Sequence, residues 1–291
     1  MLDSTRNPVD PAFNRSLRHI PDQQILALND AGQSENRMHS DAVATQYGFE
    51  GALVSGANVF AYMTQPLVNA YGGAWLDQGI MDVVFLKPAY QDNLINIRTE
   101  SLGAESSQRN HLTCAFNEQG SLLAKLESWL PATMPAINPW LDQALAGESI
   151  ASKRERAEIS WDALEIMTPW PVHHWQPGAA DNQAHMAAQR DRASVYQGPD
   201  AYLHPYLLLD ACNRCLKRQF IMPAWIHTGS HLTLHRPLKA GQSISLYSLP
   251  VEKWERRGQQ YLRLYIAMLV DGEVALEVKH NAIFSLASGN P

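Results

Sequence analysis

Val54–Met63, VSGANVFAYM, and Leu203–Cys212, LHPYLLLDAC, decide the architecture, because they are two versions of one segment. Each is an apolar run without strong alternation, entered through a small or capping pair: Ser55–Gly56 in one, His204–Pro205 in the other. Each leads through a Trp-containing segment to a strand-like run, VVFLKPAYQDNLINI from Val83 and HLTLHRPLKAGQSISL from His231. Ser55 and His204, Gly56 and Pro205, and Pro88 and Pro237 all stand 149 positions apart, a register that chance does not hold over such a length. Upstream, ENRMH ending at His39 parallels DNQAH ending at His185; downstream, the NEQG turn ending at Gly120 parallels the DG turn ending at Gly272.

Each copy reads as an irregular Asn-x-x-His segment, one long helix, and then several strands separated by turn signals. Gly and Asp-Gly tolerate the positive φ of tight hairpins, so NEQG and VDG are hairpin candidates. A helix burying the apolar face of an antiparallel meander makes each copy α+β. The expected division is a first unit over residues 1–131, a linker over 132–157 rich in Pro and polar residues, and a second unit over 158–291.

Composition sets outer bounds. The chain has 291 residues, 45% hydrophobic and 18% charged, which is enough apolar surface to fold throughout. No apolar run approaches the ~20 residues of a membrane-spanning helix, and the N-terminus shows no basic-then-apolar signal. The expectation is a cytoplasmic protein that does not act at a membrane. A net charge of −6, with no cationic block beyond Lys153–Arg156, gives no footprint for nucleic acid. That KRER run reads as part of a solvated linker. The three cysteines suit a reducing compartment, and Cys212 and Cys215, inside an apolar helical run, read as small core residues.

The stretch HSDAVATQYGFEGALVSGANVFAYM from His39, followed by FLKPAYQDNLI, resembles the MaoC-like family of hot-dog-fold acyl-thioester hydratases and dehydratases, the R-specific enoyl-CoA hydratase type. The likeness rests on Asn36, His39, Gly48, Gly51, Gly56 and Pro88, and more weakly on Asn182, His185, His204 and RPLKAG from Arg236. It implies a double hot dog: two tandem units, each a central helix wrapped by an antiparallel sheet, packed as a pseudo-dimer. The family carries a catalytic Asp five residues before its His. Here Ser34 and Ala180 stand in those places, with Asp181 one residue away.

HPYLLLDAC also resembles the helix start of β-hydroxyacyl-carrier-protein dehydratases, where an acid follows a helix-start glycine by five residues, as Asp210 follows Pro205. In those relatives the acid of one unit faces the histidine of the other, which implies pairing His39 with Asp210. The other composite site, with His185, Pro205 and Ala61, has no acid, and Pro205 has no N–H to offer a carbonyl. One active site is therefore expected.

The implied chemistry is reversible hydration of a 2-enoyl thioester. His39 would handle the α-proton, since imidazole titrates near working pH. Asp210 would serve the hydroxyl, desolvated by its LLLDAC setting, and Gly56 would present its N–H at a helix N-terminus to the carbonyl. Asn36, Ser55, His185 and His204 are candidate pocket residues. No cofactor is expected beyond coenzyme A or phosphopantetheine carried by the substrate, and no metal. The substrate is expected to be an acyl-CoA or an acyl-carrier protein, with Lys87, Arg98 or Arg236 as its anion contacts. Two such chains could pair as a homodimer. Two other functions share this fold: a thioesterase in which Asp210 activates water, and a binder of acyl thioesters without catalysis.

Plainer readings stand beside these. His39 could be a loop histidine, Ser55 an N-cap, and His204 a cap preceding Pro205 at a first helical position. Asp210 stands four residues before Arg214, the spacing of a helical ion pair. His173–His174 and the series His227, His231, His235 look metal-like, but alternation on a strand would place that series on one sheet face without a fixed ligand set. Pro66 is expected to kink the first helix, while Phe60, Tyr62, Tyr71 and Trp75 read as core.

Overall fold

The computed structural model describes residues 20–32, 34–102, 109–151 and 155–287. The first copy supplies strands β1 (Gln23–Leu26), β2 (Gly79–Phe85), β3 (Leu94–Ser101), β4 (Arg109–Phe116) and β5 (Leu122–Leu130). The second supplies β6 (His173–Trp175), β7 (Ile226–Leu234), β8 (Ile244–Arg256), β9 (Gln259–Val270) and β10 (Glu273–Ser285). All ten form one antiparallel sheet in the order β1-β3-β4-β5-β2-β7-β10-β9-β8-β6. The second half of that order mirrors the first, so the repeat seen in the sequence is a two-fold relationship in space. The halves meet along β2 and β7, paired from Gly79 with Leu234 to Val84 with Gly229. Gly229 is required there, because a Cβ would stand 2.6 Å from the Val83 carbonyl oxygen.

The α-helices are α1 (Asp41–Ala44), α2 (Gly56–Tyr71), α3 (Ala74–Asp77), α4 (Trp140–Ala144), α5 (Ala179–Gln189) and α6 (Pro205–Gln219). The central pair, α2 and α6, begin at the two repeat-related positions and pack on each other. The Ser55 hydroxyl caps α2 by accepting from the Asn58 N–H at 3.2 Å. His204 caps α6 by accepting from the Tyr206 N–H through Nδ1. Helix α2 is buried from Ala57 through Val68 and runs through Pro66 to Tyr71, with Phe60, Tyr62 and Trp75 fully inside. The repeat register survives in detail: the isolated pairings Leu53 with Tyr90 and Tyr202 with Lys239 are again 149 positions apart. Asp271 and Gly272 both adopt positive φ in the β9–β10 turn, as a hairpin Asp-Gly does. None of the described helices is long and apolar enough to cross a membrane.

Three expectations change. The Asn-x-x-His segment is irregular in neither copy: in the first, Asn36 caps a single 3-10 turn over Arg37–His39, its Oδ1 accepting from the Met38 N–H. In the second it lies on α5, where the Asp181 carboxylate accepts from the Gly178 N–H at 2.7 Å and so holds the start of an Ala-rich helix. The segment between the units is not simply solvated. Helix α4 covers the outer face of β8 and β9, with Ala144 packed among Leu249, Tyr265 and Ala267. Within the KRER run, Lys153 and Arg154 lie outside the described residues, while Arg156 pairs with Glu35 at 2.5 Å and donates to the Lys217 carbonyl. Cys212 and Cys215 are buried free thiols in α6.

The third change concerns the β7 histidines. Opposite β10 the register runs from Gly229–Asn281 to His227–Ala282, so Thr228 is an extra residue, a β-bulge. The bulge breaks the alternation and turns His227 inward, on the Ser230 side of the strand. His231 faces Asp82 at 3.8 Å, and His235 bonds Glu277 at 2.8 Å. The three imidazoles do not share a face, and no group of three or more metal-ligating side chains occurs among the described residues.

Candidate active site

A cavity of about 530 Å3 opens where the Asn36–His39 turn, the start of α2, the β2–β7 seam and α6 meet. Asn36 comes first, because its amide ties the units together. Its Nδ2 donates to the Trp225 carbonyl at 3.0 Å, and its Oδ1 accepts from the Trp225 N–H at 3.3 Å. His39 stands on this anchored turn. Its Nδ1 lies 2.6 Å from the Leu53 carbonyl oxygen, an acceptor only, so Nδ1 carries the proton and Nε2 is left with its lone pair. Asn36 Nδ2 is 3.3 Å from that Nε2. Burial lowers the His39 pKa from its ordinary value, opposed by the Leu53 carbonyl and the Asp30 charge.

Ser55 and Gly56 line the same cavity. The N–H groups of Gly56 and Ala57 open α2 and have no acceptor within the helix. A Cβ on Gly56 would stand 3.0 Å from His227 Nδ1 and 3.1 Å from the Phe85 ring, so glycine makes room for both rings.

Asp210 is a correction. It does not line this cavity; its carboxylate is held by Arg214 at 2.6 Å through Nη2 and 2.7 Å through Nε. The plainer i, i+4 reading describes it. Its charge acts on His185, whose pKa is lowered chiefly by burial, and not on His39. From α6 the cavity receives Asn213 instead, whose Oδ1 is buried without a hydrogen-bond partner.

The other expected pocket residues lie away from the cavity. His185 stacks on Tyr206, ring centroids 3.8 Å apart, and His204 is wholly buried with Nε2 3.3 Å from an Asp191 carboxylate oxygen. His185 is the repeat-related counterpart of His39, and Tyr206 that of Ala57. Of the expected anion contacts, Lys87 lines the cavity. Arg98 faces Asp22 and Phe116, and Arg236 pairs with Glu273. Arg256, at the tip of the β8–β9 hairpin, is the second cation at the opening.

Sequence reasoning missed Asn213, Trp225, His227 and Arg256. Trp225 Nε1 and His227 Nδ1, like Asn213 Oδ1, are buried without partners. The one local sign of the bulge at Thr228 is the strand-interior Gly229 beside it, and Arg256 reaches the opening only through the length of the β8–β9 hairpin.

No protein-family model and no curated protein matches the sequence. Solved structures do match in shape. One described as a MaoC-domain dehydratase from Chloroflexus aurantiacus J-10-fl aligns over 97% of this chain and 99% of its own, at 11% identity and a TM-score of 0.66. A conserved Mycobacterium tuberculosis protein with a double hot-dog fold aligns over 92% and 96%, at 12% identity and a TM-score of 0.60. A structure described as an oleoyl thioesterase from Lactobacillus plantarum aligns over 91% and 96%, at 13% identity and a TM-score of 0.52. At such identities the likeness is one of architecture, and with the mirrored ten-stranded sheet around α2 and α6 it establishes that the chain is a double hot dog.

Proposed function

We propose that this chain is an acyl-thioester hydro-lyase that interconverts a 2-enoyl and a 3-hydroxyacyl thioester, with His39 as its single acid–base residue. The observation that carries the reading is the Nδ1–Leu53 hydrogen bond at 2.6 Å. It leaves a neutral imidazole whose Nε2 lone pair, met by Asn36 Nδ2 at 3.3 Å, can take a proton in a cavity that Gly56 also lines. Neutral imidazole is the active form of a general base, and its lowered pKa keeps it so at neutral pH.

In the hydration direction, water bonds through oxygen to C3 while one of its protons passes to His39 Nε2. The C2–C3 π electrons move toward the thioester, and the enolate oxygen is met by the N–H groups of Gly56 and Ala57 at the positive end of α2. His39 then returns the same proton to C2, so one water has been added and the imidazole is neutral again. Asn213 Oδ1, an acceptor without a partner in the same cavity, suits the second proton of that water. Asp210 has no part. A single base delivering to and taking from one face makes the addition syn.

The thioester carrier is coenzyme A or phosphopantetheine, with Lys87 and Arg256 as its phosphate contacts; neither forms an ion pair with another described residue. The test is loss of 2-enoyl absorbance on mixing the protein with crotonyl-CoA. His39→Ala is expected to lower the rate at least ~100-fold. A rate in His39→Ala equal to wild type, or release of free thiol in place of hydration, overturns the proposal.

A further inference from the structure

We infer that His227, delivered to the cavity by the second unit, is a second electrophilic contact for the thioester carbonyl, and that Ser230 and His280 are its positioning residues. The inference deepens the thioester reading above and rests on it.

Position comes first. His227 is more than nine-tenths buried, lines the cavity of His39, and has an Nδ1 without a hydrogen-bond partner. The missing Cβ of Gly56 would lie 3.0 Å from that atom, so His227 Nδ1 stands against the first residue of α2, which lines the same cavity. The bulge at Thr228 puts it there; regular alternation would have turned the ring to the other side of the sheet.

The tautomer follows from the groups behind it. Ser230 Oγ lies 2.9 Å from His227 Nε2 and 2.9 Å from His280 Nδ1, and the hydroxyl has one proton to give. If it donates to His280, then His280 Nε2, buried without a partner, must carry an orphaned N–H. If it donates to His227 Nε2, the orphan at His280 is a lone pair and the unpaired N–H is instead that of His227 Nδ1, on a residue that lines the cavity. Either relay leaves one N–H without an acceptor in the protein, and that costs most where no ligand or water can reach it: His227 lines the cavity, whereas His280 is wholly buried outside its lining. The relay His280 Nδ1–H to Ser230, and Ser230 O–H to His227, therefore leaves the His227 Nδ1–H facing the cavity.

The ring also stays neutral. Burial pushes its pKa down to about 3, against the Gly229 backbone, and it stacks on the likewise buried His280 with centroids 4.1 Å apart. A fixed neutral N–H costs no reorganisation and gains as negative charge grows on the carbonyl oxygen. It cannot compete with His39 for the reacting proton.

The first test is imidazole 15N–1H correlation on the full chain labelled at histidine. His227 is expected to hold its proton on Nδ1 from pH 5 to pH 8, and to shift on addition of butyryl-CoA, which has the carbonyl but cannot be hydrated. A proton on Nε2, or no His227 shift at millimolar butyryl-CoA, overturns the inference. The second test is kinetic. His227→Leu is expected to lower kcat about 100-fold or more, with KM within ~3-fold, the effect of losing one carbonyl donor. His227→Asn, whose amide can place a donor where Nδ1 stands, is expected to recover at least ~10-fold of it. Ser230→Ala is expected to mix the two tautomers of His227. A folded His227→Leu protein with wild-type kcat overturns the inference. Should crotonyl-CoA not be hydrated while the butyryl-CoA shift at His227 is seen, the hydro-lyase reading falls and the carbonyl contact stands.

Discussion

The side-chain amide of Asn36 substitutes for a missing backbone partner of Trp225, donating to its carbonyl and accepting from its N–H across 189 residues of chain. It is the joint on which the His39 turn rests. Asn36→Ala leaves two buried backbone groups of Trp225 unpaired, at roughly 1–3 kcal/mol each. The expected result is a Tm lower by several degrees, measured by calorimetry, together with a crotonyl-CoA hydration rate reduced more than stability alone accounts for. Asn36→Asp keeps the acceptor and loses the donor, and should fall between.

Gly56→Ala should separate space from chemistry. The new methyl meets His227 Nδ1 at 3.0 Å and Phe85 at 3.1 Å, inside ordinary contact, so a ring must move. Overpacking of this kind costs about 1–3 kcal/mol. We expect a destabilised but folded protein that binds butyryl-CoA at least ~10-fold more weakly by calorimetric titration. Wild-type affinity would show that the carbonyl lies elsewhere.

Acid should act twice, on rate and on stability. The proposed base role requires a neutral His39, whose pKa is lowered from 6.5, so the acid limb of kcat/KM should have its midpoint below pH 6.5. For stability the sign follows from His227, neutral in the fold down to about pH 3 but protonated below about 6.5 once unfolded. The unfolded state then binds the extra proton, and stability falls as pH drops below 6.5, by up to about 1.4 kcal/mol per pH unit for this group. Urea unfolding at pH 7 and pH 5 should show the loss. His227→Asn should reduce it, leaving the share of His173 and His280, whose pKa values burial also lowers.

Glu277 pins the connecting segment to the second unit. Its carboxylate accepts from the Asn138 N–H at 2.9 Å, the Tyr265 hydroxyl at 2.6 Å and His235 at 2.8 Å. Burial raises its pKa, and the bonds from His235, Tyr265 and Asn138 outweigh that and lower it. Glu277→Ala removes the shared acceptor and should cost about 3 kcal/mol in urea unfolding. Limited proteolysis should then cut the segment around α4 faster, while the His39 cavity keeps its ligand affinity.

Most of the fold was legible because it is written twice. The 149-residue register matched the starts of both central helices and the strand-like runs that follow them, though not the β2–β7 pairing between the halves. That Asn36, His39, Ser55 and Gly56 line one cavity was within reach of the sequence for a related reason: all four fall within one short stretch whose geometry is local. Asp210 failed because five residues from a helix start fix an angle around the helix but not which neighbour the side chain meets, and Arg214 one turn on takes it. His227 failed because the strand's period was read straight through Thr228. A bulge changes the face of everything before it, and the pairing that creates it lies more than fifty residues away at Asn281 and Ala282.

Gly56 and Pro205 begin repeat-related helices, yet only one of them has an N–H. Two identical chains meeting on a two-fold axis would carry every substitution in duplicate. Proline could not enter one helix start without disabling both. Joining the copies in a single chain lifts that constraint. One half can give up its helix-start donor, turn its Asn-x-x-His segment into a helix and stack His185 on Tyr206 while the other keeps a cavity at His39. The chain's lopsidedness is thus a freedom that a symmetric pair does not have, and later substitutions can accumulate around His185 without passing through the site at His39.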